Sequence, residues 1–321
     1  MKKYLKKPLV IIILVIFIII SGFFLFLNEF GGNPKHSNSA NGKWNHLYET
    51  TTSYLSIEAQ YRYLSIYDWF TGFNKSVKIG WISDIHADRF KRRQVESGLL
   101  YPRQYSDYLL KVFDAMRKQG INTVISTGDN VNSGDDGYAK DLVRIARQKD
   151  MHMIWTKGNH DTMHSMTALG ITGSKYFYID YLNTRIIVLD DTVGMEQTGN
   201  YDGSIDPDQI NWLRETLKIN KPVIIAMHIP IFQMHTGKDT VVIEKYAELE
   251  KILHDSGNVK MIISGHWHIP WQKQYDGLNF YGEGALTREG MKGDYAIIDL
   301  SNYSIDYKTV DQKYNQPLYP N

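Results

Sequence analysis

The longest hydrophobic segment in this chain is unbroken: Leu9 to Leu27 reads LVIIILVIFIIISGFFLFL and carries no charge. As a helix rising about 1.5 Å per residue it is roughly as long as a bilayer core is thick, so it predicts a membrane span. Gly31 to Gly42 (GGNPKHSNSANG) has the Gly, Asn and Ser content of a flexible spacer. Next, Tyr54, Ile57, Tyr61, Leu64 and Tyr67 recur at three- and four-residue spacing. That spacing predicts an amphipathic helix ending before Gly72 and packing on the main domain.

From Val77 onward, short apolar runs alternate with helical periodicity. Strands are expected at Val77 to Ile82, Thr123 to Ser126, His152 to Thr156, Pro222 to Met227 and Lys260 to Ser264. Helices are expected at Tyr105 to Lys118, Tyr138 to Arg147, Asp206 to Leu217 and Val242 to His254. Lys175 to Asp180 and Thr184 to Leu189 suggest a hairpin, and Leu278 to Val310 three or four strands broken by glycines. This βαβ rhythm is that of an α/β domain of about 240 residues. The chain thus divides into 1–30, an anchor; 31–75, spacer and amphipathic helix; and 76–321, the main domain.

Charge orients the anchor. Lys2, Lys3, Lys6 and Lys7 precede the apolar run and no acidic residue occurs before Glu29, so the positive-inside rule predicts a cytoplasmic N-terminus and an external body. A cleaved signal would have a shorter apolar stretch and a small-x-small cleavage site, which Phe26-Leu27-Asn28-Glu29-Phe30 lacks, so the segment is expected to stay. Of 36 basic residues four belong to this cluster, and the remaining 32 face 35 acidic ones. A mildly acidic body has no electrostatic footprint for nucleic acid. With no cysteine, disulfides and thiolate metal sites are excluded.

Five blocks, WISDIHAD, STGDN, KGNHD, MHIP and SGHWH, carry the candidate chemistry, and most follow an expected strand directly. Asp84 and His86, two apart in extended chain, leave on the same side and can reach one ion; alone, such a pair is more often a solvated loop. Asp129 follows a strand and a glycine, and its two carboxylate oxygens can bridge two cations; alone, Gly-Asp-Asn is also a plain turn. Asn159 offers a neutral hard oxygen, His160 can carry a proton, and Asp161 beside it can fix the imidazole's tautomer; the bland alternative is a helix-capping turn. His228 follows a strand, where a lone histidine is commonly structural, and His266 and His268 offer two imidazoles at a spacing frequent among metal ligands. Open α/β sheets gather their sites at the C-terminal ends of strands, and five such blocks in order are not expected by chance.

Together the blocks resemble the signature of the calcineurin-like metallophosphoesterase superfamily, D-x-H, G-D, G-N-H-D/E, H and G-H-x-H, over about Lys78 to His268. Gln209-Ile210-Asn211-Trp212-Leu213 is similar to a helix common in that family. The resemblance implies a four-layer αββα sandwich of two mixed sheets flanked by helices, with the metal site at strand ends. It implies that Asp84, His86, Asp129 and His268 hold one metal, that Asp129, Asn159, His228 and His266 hold a second, and that His160 is the catalytic acid with Asp161 as its partner. The expected cofactor is two divalent or mixed-valence ions, for which His, Asn and Asp suit Mn, Fe and Zn alike. The expected reaction is hydrolysis of a phosphate mono- or diester by a hydroxide bridging the metals. Where the purple acid phosphatase branch has tyrosine this chain has Asn132, so a colourless site is expected.

Arg89, Lys91, Arg92 and Arg93 either draw in an anionic substrate or form a solvated loop; His164 and His235 are candidates for the pocket, and Trp267 for packing. A noncatalytic scaffold of the same fold would have lost ligands, and none is missing here. A nuclease would need a basic surface.

Overall fold

The computed structural model describes residues 76–95, 98–132, 136–171, 175–193, 203–232, 246–290 and 292–310. The apolar run from Leu9, the spacer, the helix expected around Tyr61 and His235 lie outside them. Among the described residues no helix is long and apolar enough to cross a membrane.

In chain order come β1 (Lys78–Ile82), β2 (Arg93–Val95), β3 (Gly98–Leu100), α1 (Tyr105–Arg117), β4 (Thr123–Ser126), α2 (Asp136–Gln148), β5 (His152–Trp155), α3 (Met163–Ala168), β6 (Phe177–Tyr181) and β7 (Thr184–Val188). There follow α4 (Pro207–Thr216), β8 (Val223–Ala226), α5 (Ala247–Ser256), β9 (Val259–Ser264), β10 (Trp271–Tyr275), β11 (Leu278–Gly282), β12 (Asp294–Asp299) and β13 (Ser304–Thr309). One sheet runs β13-β12-β1-β4-β5 and the other β10-β11-β9-β8-β7-β6, while β2 and β3 form a separate hairpin. Both large sheets are mixed: β1 pairs parallel with β4 but antiparallel with β12, and β7 parallel with β8 but antiparallel with β6.

Three cores follow from the two-residue alternation of strands and the wider stripe of helices. Ile79, Trp81, Ile125 and Ile154 of the first sheet meet Ile186, Val188, Ile224, Ala226 and Ile263 of the second, filling the space between them. On the far side of the first sheet, Ile82 and Val124 pack with Leu109, Val112, Phe113 and Met116 of α1 and Leu142 and Ile145 of α2. Ile187, Ile225 and Ile262 do the same with Leu213 of α4 and Leu249 and Leu253 of α5. Each fully buried Val, Leu, Ile, Phe or Met of this kind contributes about 1.5–3 kcal/mol, so the first seam fixes the sheets to each other and the other two fix the helices to the sheets.

Three elements escape the sequence pattern. The β2–β3 hairpin is built of two three-residue strands, RQV and GLL, too short to show alternation. Six-residue α3 is too short for periodicity and depends on a cap, with Thr162 Oγ1 accepting from the Ser165 N–H and Ser165 Oγ from the Thr162 N–H. β10 (WQKQY) alternates half-buried and exposed residues, with polar Gln-Lys-Gln between its two aromatic ends.

Candidate metal centre

All nine candidate residues stand just beyond strand ends on the facing edges of the two sheets. Asp84 and His86 follow β1, Asp129 follows β4 and Asn159 to Asp161 follow β5; His228 follows β8, and His266 and His268 follow β9. Turning each strand abruptly into the site strains the backbone. Asp84, His86, Asp129, His266 and His268 all have φ between 47° and 69°, a region that non-glycine residues enter at a cost of about 1–3 kcal/mol each.

Asp129 is the hub. Its Oδ2 lies 3.5 Å from His86 Nε2 and its Oδ1 3.4 Å from His228 Nε2, so its two oxygens face different partners. Around Oδ2, His86 Nε2 is 3.0 Å from His268 Nε2, which is 3.3 Å from Asp84 Oδ1. Around Oδ1, Asn159 Oδ1 is 2.9 Å from His228 Nε2 and 3.0 Å from His266 Nδ1. Ligand atoms of Asp84, His86, Asp129 and His268 all lie within 4.8 Å of one another, as do those of Asp129, His228 and His266. Converging imidazole nitrogens and hard oxygens, buried together, are a donor set that fits Mn, Fe or Zn.

Neighbouring groups aim these ligands. Asp84 Oδ2 accepts from Ser83 Oγ at 2.6 Å, and the His266 N–H is shared between Oδ2 at 3.0 Å and Oδ1 at 3.2 Å, with Oδ1 also facing His268 Nε2 at 3.3 Å. His228 Nδ1 lies 2.8 Å from the Thr127 carbonyl, fixing the ring so that Nε2 points inward. Two glycines are required for close approach: a Cβ on Gly158 would stand 2.0 Å from the Asp129 nitrogen, and one on Gly265 would stand 1.9 Å from Ser83 Oγ.

The electrostatics suit cation binding. Burial alone would raise the Asp129 carboxyl, but His228, His160 and His86 hold it well below the usual carboxylate range. Burial pushes His86 and His266 down to about 3, leaving neutral rings with free lone pairs. Burial also opposes charge on His228, yet Asp129, Asp84 and Asp191 carry it up to about 10. A ring that ligates a cation must give up that proton, whereas His86 and His266 have none to give. At pH 8, cation binding should therefore release at least one proton per chain from His228, with any proton lost by cation-bound water in addition, read as a buffer-dependent heat in titration calorimetry. Absence of release would show that His228 carries no proton for a cation to displace.

One expectation is corrected. Asp161 does not orient His160: its Oδ2 accepts from the Gly158 N–H, the Asn130 N–H and Asn130 Nδ2, and its Oδ1 from the Val131 N–H, at 2.9–3.1 Å. Buried there, it is pushed up to about 6 by burial and by Asp129, while the backbone N–H groups pull the other way. It ties the loop after β4 to the loop after β5. His160 instead sets Nδ1 3.2 Å from the Asn132 carbonyl and Nε2 4.0 Å from Asp129 Oδ2, with its side chain 23% exposed.

Supporting residues escaped the sequence reading. Asp191, three residues past the end of β7, accepts from the backbone N–H groups of His228 and Ile229 and so positions that loop. The signal was present, since Asp190-Asp191 follows an apolar strand as the other blocks do. Gln209 of α4 pairs both halves of its amide with the Asp190 backbone, at 2.8 and 2.7 Å, which explains its place in the QINWL segment. His164 is exposed and paired with Asp136 at 3.5 Å. Trp267 packs with Trp271 against the outer core of the second sheet, the packing role expected of it.

A two-sheet fold with a carboxylate shared between two clusters of imidazole and oxygen ligands is that of a metal-dependent hydrolase. Residues 77–270, more than half of the chain, match the model of the calcineurin-like phosphoesterase family, and the chain belongs to that family. It is 28% identical over 169 residues to a probable cyclic nucleotide phosphodiesterase of Rhodococcus erythropolis, a match covering 49% of this chain and 54% of that protein. The chain thus spans about half the length of that relative. It is 22% identical over 212 residues to a 3',5'-cyclic-nucleotide phosphodiesterase of Nostoc sp., covering 64% of this chain and 77% of that one. Its fold is similar to that of a dimetal phosphatase from Danio rerio, with a TM-score of 0.58, 14% identity, and coverage of 72% of this chain and 95% of that chain.

Proposed function

We propose that the protein hydrolyses phosphodiesters, with 3',5'-cyclic nucleotides as the first candidates, at a centre of two divalent cations. The observation that carries this reading is Asp129, which turns one oxygen to each of two ligand sets. Asp84, His86 and His268 would complete one site, and Asn159, His228 and His266 the other. When bound, such cations neutralise phosphoryl oxygens and bring the pKa of water to about 7, which makes hydroxide available at neutral pH. The protein's own contribution is orientation: the strained strand ends hold the ligands, the Thr127 carbonyl sets the His228 ring, and His160, outside both ligand sets, faces the leaving group as proton donor. Its Nδ1 toward the Asn132 carbonyl leaves Nε2 directed at the site. Diester preference is supported by the names of the relatives, not by the ligand geometry, which would serve a monoester equally.

We further infer that residues 1–30 anchor the chain as a single span with a cytoplasmic N-terminus, so that the domain of residues 76–321 works outside the cytoplasm. The apolar run and its flanking lysines support this reading. One experiment tests both inferences. The protein loaded in turn with Mn, Fe or Zn is assayed against cyclic AMP, cyclic GMP, bis(p-nitrophenyl) phosphate and simple monoesters, and diester is then added to intact cells producing it. Diester turnover is expected, in the cell suspension as well as with purified protein. No hydrolysis with any metal would leave a noncatalytic scaffold, and turnover only after lysis would overturn the orientation.

A further inference from the structure

The basic stretch after the first ligand block is not used by the metal centre. Arg89, Lys91 and Arg92 are exposed, as solvated residues would be. Arg93 is different: it opens β2, is half-buried, and donates from Nη1 to Oδ1 of Asn132.

Asn132 is itself firmly placed. Its N–H donates to the Ala87 carbonyl at 3.3 Å, its Nδ2 to Asp88 Oδ2 at 2.7 Å, and its own carbonyl lies 3.2 Å from His160 Nδ1. Asp88 is buried, and its other oxygen accepts from the Arg89 N–H at 2.6 Å. Arg93 is therefore linked, through Asn132, to the imidazole whose Nε2 lies 4.0 Å from the shared Asp129.

Among the described residues Arg93 forms no ion pair, and the carboxylate of Asp88 reaches it only through the Asn132 amide between them. Among the described residues, the partner of Arg93 is a neutral amide oxygen that occupies one of five N–H donors. A guanidinium keeps its charge at any working pH, and its planar fork matches the oxygens of phosphate better than the point charge of lysine does. Holding such a group half-buried against an amide, beside a site for a phosphate ester, makes an anion receptor. We propose that Arg93 binds a non-bridging phosphoryl oxygen of the substrate, with Asn132 as its positioning residue. The exposed Arg89, Lys91 and Arg92 then add only to the attraction of anions toward the mouth of the site. This inference rests on the phosphoesterase reading above and assigns that site a further substrate contact.

The test compares wild type with Arg93→Ala, Arg93→Gln and Arg93→Lys. Inorganic phosphate binding to the metal-loaded proteins is measured by calorimetry, metal content by elemental analysis, and KM and kcat with bis(p-nitrophenyl) phosphate. Arg93→Ala should weaken phosphate binding and raise KM about tenfold or more, with metal content unchanged. Arg93→Gln keeps a donor toward Asn132 but no charge, so it should lose as much as Arg93→Ala, while Arg93→Lys should recover part of the loss. Binding by Arg93→Gln within about twofold of wild type would overturn the proposal by reducing Arg93 to a tether, and so would loss of metal in either neutral variant. Wild type that binds no phosphate would overturn it as well. Wild type that binds phosphate in an Arg93-dependent way yet hydrolyses no ester would sustain the contact and sink the proposed reaction.

Discussion

Changing Asp129 to Asn is expected to cut phosphodiester turnover by at least about 10³-fold, because several kcal/mol of charge stabilisation are at stake and each 1.36 kcal/mol is a factor of ten. The two ligand sets should fail unequally. Oδ1 accepts the His160 N–H at 2.8 Å, so an asparagine keeps its oxygen there and places its NH₂ where Oδ2 now stands. That NH₂ would face His86 Nε2, now 3.5 Å from Oδ2, and donate into the lone pair a cation needs. The set of Asp84, His86 and His268 should therefore lose its ion first, while Asn159, His228 and His266 retain a weakened site. Elemental analysis of the purified variant should show the deficit, with circular dichroism confirming that the fold survives. Full metal content with turnover within about tenfold of wild type would refute a shared ligand, since a bridging carboxylate cannot be neutralised without loss.

The unequal failure expected at Asp129 depends on geometry that the sequence discloses only in part. Its ligands were legible because a strand has a short, fixed period: an apolar run such as Val223 to Ala226 ends, and the next polar residue that can bind a metal, His228, must sit at the sheet's edge. The long helices α1 and α2 were legible for the same reason, a buried face recurring at helical spacing. What could not be read is whatever depends on the angle between loops. Asp161 looked like the partner of His160 because the two are adjacent, but adjacent residues in a turn point different ways, and its carboxylate went to the N–H groups of Gly158, Asn130 and Val131. Asn132 reached His160 across 28 residues through its backbone carbonyl, a group with no sequence identity to recognise. The hairpin β2–β3 is hidden because strands of three residues are too short to set a period.

Because Asp161 is committed elsewhere, His160 acts with the Asn132 carbonyl behind it, and removing its ring separates acid catalysis from metal binding. In His160→Ala the backbone N–H that holds Asp129 Oδ1 remains, and none of the clustered ligand atoms is lost. Both cations should stay bound. Turnover of a diester with a poor, alkoxide-like leaving group should fall about 10²- to 10⁴-fold, the range for a positioned proton donor. With p-nitrophenolate, which departs without help from an acid, the loss should shrink to a small factor. That contrast distinguishes a donor from a residue that only positions substrate, which would slow both esters alike. An equal loss on the two leaving groups would move His160 from proton transfer to phosphate binding. Unchanged turnover on the poor leaving group would remove it from the reaction, and the proton would then have to come from water admitted at the exposed face of the site, where that ring now stands.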